Sequence, residues 1–272
     1  MIELGRGKDA PFAFWTGQHY VVLWTEIAPA PATGGFEQNI RAARITASGE
    51  VLDATLCTIV VAPQFSAGYA HVVATPAGLV MIFLHSQPAF IRYLKYDVFV
   101  ARISTDGDLT VGAIQITNTP ESESAVEAAV DPAGNIFLTW LAVPAVPSDY
   151  HSPTRASGAV LATDLSLVRR FDFGTTRNRR DVAWTGTSFL VSWLADELYV
   201  QRYSRNGQVV SDPIALTAGA APKGLQRIVS APGGAFIAYT RTLPKSSGSD
   251  AQRLVARMVY DTDGRRRAVT PR

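Results

Sequence analysis

The chain has 272 residues, 47% of them hydrophobic and 18% charged, which excludes a disordered chain and leaves ample material for a packed core. Apolar runs such as Gly78 to Leu84 fall far short of the roughly 20 residues that a membrane-spanning helix needs, so no span is expected. The net charge of +2 hides an imbalance: residues 1–136 carry 7 Lys/Arg against 13 Asp/Glu, and residues 137–272 carry 18 against 10. This is read as a solvated surface or attraction within the chain.

The N-terminal stretch from Met1 to Asp9 has no apolar run, so no signal peptide is expected in this chain. The only cysteine, Cys57, is expected as a small buried hydrophobe beside Leu56 and Ile59. From Pro11 onward the chain breaks into short apolar blocks. Phe12, Phe14 and Trp15 make a first strand, Thr16-Gly17 turns, and Tyr20 to Trp24 make a second. A loop from Ala28 to Gln38 leads to a third strand, Ile40 to Thr46, and Ser48-Gly49 turns into Val51-Leu52.

The same order returns four times. Unit two has His71 to Ala74, Leu79 to Leu84 and Val98 to Ile103, with Asp106-Gly107 as a strong hairpin signal. Unit three has Ala125 to Val130, Ile136 to Trp140 and Ala159 to Thr163. Unit four, Arg180 to Val210, is the most compact copy. Unit five has Gln226 to Ser230, Phe236 to Tyr239 and Leu254 to Tyr260. Bulky residues ending the second strand (Trp24, Leu84, Trp140, Trp193, Tyr239) and turn residues after the third (Gly49, Gly107, Asp164, Gly207, Gly264) both count five repeats. The blades are placed at about 11–53, 64–112, 122–168, 178–210 and 224–270 of a single domain, 1–272.

Continuous apolar strands without helical period imply burial on both faces, as when small sheets stack side by side around an axis. The run Val-Ala-Trp-Thr-Gly-Thr-Ser-Phe-Leu-Val-Ser-Trp, followed by Val-Gln-Arg-Tyr-Ser-Arg-Asn-Gly, resembles a β-propeller repeat of large bacterial secreted or surface proteins. The resemblance implies an all-β, five-bladed β-propeller of four-stranded antiparallel blades and an extracellular or envelope location, and it names no reaction. By blade count alone the chain is also similar to small lectin propellers and five-bladed glycosidases.

The five tryptophans recur at two strand positions and are expected in blade packing. Arg44, Arg102 and Arg202 each lie five residues before a turn glycine and are expected to make repeated structural pairs. No paired histidine motif, phosphate loop or dinucleotide fingerprint is present, so no metal and no cofactor is expected. Basic runs at Arg169-Arg170, Arg177 to Arg180 and Arg265 to Arg267 lack interleaved aromatics, so nucleic acid is not an expected partner. Asp9, Glu127 and Asp181, near the starts of first strands, are the carboxylates weighed for catalysis. The favoured reading of Glu127 and Asp181 is a salt-bridge cluster with the Arg177–Arg180 run.

Long connections between second and third strands are expected at Ala28–Gln38, His85–Tyr96, Ala142–Ser157 and Thr242–Gln252, with a tight Ala195-Asp-Glu turn in unit four. Their rim residues Phe36, His85, Phe90, Arg92, Tyr93, Tyr150, His151 and Arg155 are the candidate ligand-binding set, suited to a glycan, peptide or anionic ligand. The expectation is a non-enzymatic binding or scaffolding propeller. The alternatives are a five-bladed glycoside hydrolase or lyase with carboxylates near the axis, and a fragment of a larger propeller.

Overall fold

The computed structural model describes residues 11–30, 35–53, 57–63, 67–87, 95–144, 154–175, 180–217, 226–242, 252–260 and 266–267. The regular elements among them are all strands, and none is a helix long and apolar enough to cross a membrane. The strands form five four-stranded antiparallel sheets. The first holds β1 (Phe12–Trp15), β2 (Tyr20–Ala30), β3 (Gly35–Ile45) and β4 (Cys57–Pro63). The second holds β5 (Ala67–Thr75), β6 (Gly78–Gln87), β7 (Lys95–Ile103) and β8 (Leu109–Gln115). The third holds β9 (Glu121–Val130), β10 (Ile136–Pro144), β11 (Arg155–Leu161) and β12 (Leu167–Thr175). The fourth holds β13 (Arg180–Trp184), β14 (Phe189–Leu194), β15 (Leu198–Tyr203) and β16 (Ile214–Ala215). The fifth holds β17 (Gln226–Ala231), β18 (Gly234–Thr242), β19 (Gln252–Tyr260) and β20 (Arg266–Arg267). In every sheet spatial order follows chain order, the meander of a propeller blade.

The chain divides into two units, Met1–Val126 with Pro144–Ser148, and Glu127–Val143 with Asp149–Arg272. In the first unit, Val21, Leu23, Ile40 and Ala42 pack on Val72, Leu79, Met81, Phe83, Ala101 and Ile103, so two sheets share one core. In the second unit, Phe137 and Val160 pack on Val182, Trp184, Phe189 and Tyr203. A second core joins Leu190, Leu198 and Val200 to Ile228, Ala235, Ile237 and Tyr239. The middle strands are therefore covered on both faces, which is why they read as unbroken apolar runs.

Fourth strands read differently. β8 and β12 are exposed along most of their length. A strand at the outer edge of a blade needs few apolar residues, so its composition carries little signal. The expected Val51-Leu52 strand is a single bridge, Val51 to Ile45, and the edge strand of the first sheet follows at β4. In the fourth sheet Val209 likewise only bridges Tyr203, and β16 closes the edge. Edge and third strand are tied by a recurring threonine: Thr117 Oγ1 accepts from Val98 N at 2.8 Å, and Thr217 Oγ1 from Leu198 N at 3.0 Å.

The turns after the third strands share one geometry. Gly49 N, Gly107 N and Gly207 N donate back to Thr46, Ser104 and Ser204 carbonyls at 3.0, 3.1 and 2.9 Å, and all three glycines have positive φ. In the third sheet Leu165, not Asp164, holds that position: its N donates to Ala162 O at 2.9 Å and its φ is 71°. Asp164 lies one residue earlier, where its Oδ1 accepts from Ser166 N at 2.9 Å. Trp24, Trp140 and Trp184 are buried as expected of packing residues, whereas Trp15 is 43% exposed and lies 4.8 Å from the Tyr20 ring.

Candidate functional site

Three first strands of the second unit bring charged side chains together. Asp181 pairs in register with Ser192, and Arg227 with Ala238. Each partner immediately precedes the bulky repeat residue of its strand, Trp193 or Tyr239, so Asp181 and Arg227 hold the same position in successive blades. Glu127 comes from β9. Arg227 Nη1 donates to Glu127 Oε1 at 2.7 Å and lies 3.7 Å from Asp181 Oδ2. Both oxygens touch one nitrogen, so they lie no farther apart than the sum of those two distances.

Asp181 is held rigidly. Its Oδ1 accepts from Val182 N and its Oδ2 from Ile228 N, both at 2.9 Å. Burial raises its pKa to about 6; the Ile228 N–H opposes this, Glu127 adds to it, and Arg227 and the Val182 N–H lower it. The Glu127 and Asp181 side chains are 12% and 9% exposed, whereas Arg227 is 56% exposed and opens the cluster to solvent. Two residues before Glu127, Ala125 has φ of 49°, a left-handed kink within β9. A buried carboxyl able to hold a proton near neutrality, a second carboxylate beside it and a guanidinium between them can serve general acid chemistry.

The expected salt-bridge cluster is present, with Arg227 as a member that the sequence reading did not name. Among the described residues Glu127 and Asp181 are engaged by Arg227. Arg180 is buried against Phe173, and residues 177–179 and Asp9 lie outside the described residues. Sequence reasoning missed Arg227. Its signal was positional: it follows the first residue of the fifth blade as Asp181 follows Arg180.

A second polar cluster lies in the first unit. The buried Asp97 carboxylate accepts from Lys95 Nζ at 3.2 Å, Gln115 Nε2 at 3.1 Å and Thr117 Oγ1 at 3.3 Å. Nearby Glu123 accepts from Thr119 Oγ1 at 2.8 Å, and burial raises its pKa to about 7. Asp97, Thr117 and Glu123 are buried, so this cluster secures the end of β8 to the start of β9.

The predicted arginine pairing is seen at Arg44, which holds Asp53 at 2.8 Å and Asp106 at 3.5 Å; Arg102 and Arg202 are buried. Of the rim residues, three are described, and they lie on strands because the hairpins extend farther than expected. Phe36 pairs with Pro29, His85 with Asp97 and Arg155 with Ala142. His85 lies 5.3 Å from the Phe99 ring, and Arg155 is ion-paired with Asp172. Phe90, Arg92, Tyr93, Tyr150 and His151 lie outside the described residues. The tight turn of the fourth blade is present, with Ala195 N donating to Glu197 O at 3.0 Å. Among the described residues no group of three or more His, Cys, Asp and Glu side chains could hold a metal ion.

No protein-family model matches the chain, and no curated protein matches it in sequence. Solved structures do share its fold. The polysaccharide lyase Uly1 aligns over 93% of this chain with a TM-score of 0.56 at 9% identity, and the chain spans 58% of that lyase's length. An α-L-arabinanase of Penicillium chrysogenum, solved with arabinobiose, aligns over 90% of this chain and 75% of its own, with a TM-score of 0.56 at 8% identity. The GH93 α-L-arabinofuranosidase of Fusarium graminearum, also with arabinobiose, aligns over 87% and 71%, with a TM-score of 0.52 at 10% identity.

The fold is an all-β propeller with four-stranded antiparallel blades, five of them in this chain. The expectation of a non-enzymatic binding or scaffolding propeller is corrected here. The three solved structures named above are two glycoside hydrolases and a lyase, which favour the enzymatic alternative. The sequence reading grouped Glu127 and Asp181 in one salt-bridge cluster, and folding brings both to an arginine that it did not name, Arg227.

Proposed function

We propose that the chain is a glycan-active hydrolase of the propeller type, with Glu127, Asp181 and Arg227 as its catalytic cluster. The observation that carries this reading is the convergence of two largely buried carboxyl groups on Arg227, with Asp181 raised to about 6. Asp181 in its protonated form donates to the glycosidic oxygen as the bond from that oxygen to the anomeric carbon breaks. Glu127 attacks that carbon as the nucleophile, giving a covalent glycosyl–enzyme. Asp181, now ionised, takes a proton from water, and the water oxygen displaces Glu127, restoring both groups. Arg227 orients Glu127 and balances the charge that alternates between the two carboxyls.

The fold neighbours act on or bind arabinose-containing glycans and a polysaccharide, so these classes are the first substrates to try. The rim residues Phe36, Phe90, Arg92, Tyr93, Tyr150 and His151 would supply contacts to flanking sugar units. An extracellular or envelope location suits a polymeric substrate. The test is reducing-sugar release from a panel of neutral and acidic polysaccharides, with Glu127→Gln and Asp181→Asn as controls. Loss of turnover by about 100-fold or more in both folded variants supports the reading. Turnover that survives both substitutions overturns it.

A further inference from the structure

Asp97 of β7 and Glu123 of β9 are carboxyl groups of the first unit, and they are 0% and 1% exposed. Around them lie Lys95 on β7, Gln115 on β8, and Thr117 and Thr119 on the connection from β8 to β9. Lys95 is the cation among the groups that bear on Glu123. With both acids ionised, the cluster sets two negative charges against one positive charge. The unmatched charge is shut away from water, and a single proton removes it.

Hydrogen bonding decides which acid takes that proton. Asp97 accepts from Lys95 Nζ, Gln115 Nε2 and Thr117 Oγ1, and all three favour its ionised form. Glu123 Oε1 accepts from Thr119 Oγ1, while Oε2 is buried with no hydrogen-bond partner among the described residues. The charged groups that face Glu123 both come from β7: Asp97 disfavours its ionisation and Lys95 favours it. β8 and the connection add only the uncharged Gln115, Thr117 and Thr119 to the cluster. Burial outweighs the Thr119 and Thr117 hydroxyls and raises the Glu123 pKa to about 7, so Glu123 is the member that holds the proton.

The same residues fasten the β8–β9 connection to β7. Val98 O accepts from Ile116 N at 2.8 Å and from Thr117 N at 3.3 Å. Val98 N donates to Thr117 Oγ1 at 2.8 Å, and Tyr96 N donates to Ser122 Oγ at 3.1 Å. We infer that Glu123 and Asp97 form a proton-controlled latch, closed while Glu123 is protonated and loosened over residues 116–123 when Glu123 ionises. Opening brings the Glu123 carboxyl to water, where it ionises at its ordinary pKa of 4.5. Between that pH and about 7 the closed latch holds a proton that the open one has released, so rising pH favours the open form.

Amide hydrogen exchange of the full chain tests this, with each rate corrected for the intrinsic effect of pH. Protection of the Tyr96, Val98, Ile116 and Thr117 amides is expected to fall about 10-fold per pH unit between about pH 5 and 7 and to level off above. The amides of Leu79 to Phe83, in the buried part of β6, should stay about 10-fold or more better protected at pH 8. Glu123→Gln, which resembles the protonated form, is expected to keep the latch amides protected at pH 8 and to flatten their profile. Protection that does not change with pH, or the same fall in Glu123→Gln, overturns the inference. So does equal protection of the latch and β6 across the range, because the opening would then be that of the whole fold. If Glu123→Gln fails to fold, the pH series in the unaltered chain still decides. Carbon-13 NMR of labelled glutamate carboxyls supports it: a glutamate titrating near pH 7 is expected, and none doing so overturns the latch.

Discussion

Arg227 donates a 2.7 Å hydrogen bond to Glu127, a residue one hundred positions earlier in the chain, and the same nitrogen lies 3.7 Å from Asp181. Three strands of three blades must fold before these groups meet. Arg227→Met tests what the contact does. Arg227 is more than half exposed, so the loss in stability is small, below about 1 kcal/mol. Its charge lowers the pKa of Asp181, so removing it raises that pKa further above about 6. If Asp181 is the acid, the alkaline limb of kcat/KM moves to higher pH while the maximum falls by about 10-fold or more. A pH–rate profile of the variant checks both.

The spacing of the carboxyls bears on stereochemistry. Contact with one Arg227 nitrogen, at 2.7 and 3.7 Å, admits the roughly 5–5.5 Å spacing of retaining pairs, as the proposed nucleophilic role of Glu127 requires. Products should therefore keep the anomeric configuration of the substrate. NMR of the sugar released in the first minutes of reaction reads this directly, and an inverted product would remove Glu127 from the nucleophile's role.

Glu123 predicts how stability varies with pH. Its pKa rises from 4.5 to about 7 on folding, chiefly through burial. The folded state binds this proton more tightly than the unfolded chain, so its contribution is complete below about 4.5 and is lost as pH rises through 7. The loss is on the order of 3 kcal/mol. Glu123→Gln, which resembles the protonated form and can still accept from Thr119, should be more stable than the parent at pH 8 and nearly equal at pH 4.5. Asp181, raised in the same direction, leaves a smaller residual slope up to about pH 6. Urea titrations across this range measure both.

The repeated turn separates backbone strain from packing. Gly107 and Gly207 have φ of 86° and 76° in equivalent turns. A Cβ at Gly107 meets nothing within 4 Å, whereas one at Gly207 would collide with the Phe171 ring. Gly107→Ala should cost about 1 kcal/mol from conformation alone. Gly207→Ala should cost a further 1–3 kcal/mol because the ring stacked on Phe137 must move. Chemical denaturation of the two variants gives the difference.

Leu165 sets the same strain against burial. Leu165→Gly relieves about 1–2 kcal/mol of left-handed strain at φ 71° but removes a fully buried side chain, whose loss costs about 2–5 kcal/mol. Burial wins, and the variant should be less stable. A more stable variant would show that the turn geometry dominates.

The blades were legible because their middle strands are buried on both faces, which forces unbroken apolar runs such as Leu79 to Phe83 and Phe189 to Leu194. The edge strands were not: β4 and β16 fall beyond the expected ends at Leu52 and Val210, because the chain first makes only single bridges at Val51 and Val209. Asp164 was placed one residue from the true turn position because a glycine was sought there and the chain uses Leu165.

Glu127 and Asp181 could be singled out from sequence as carboxylates near the starts of first strands. Their meaning could not, because it depends on which residue faces them. By itself the sequence determined the repeat, since burial is written locally in side-chain type and spacing. Only the tertiary structure decided that Arg227 joins the two acids and that Arg180 turns away from them. Blade packing brings distant strands together, and the alternation of faces along β13 sends neighbouring charges in opposite directions.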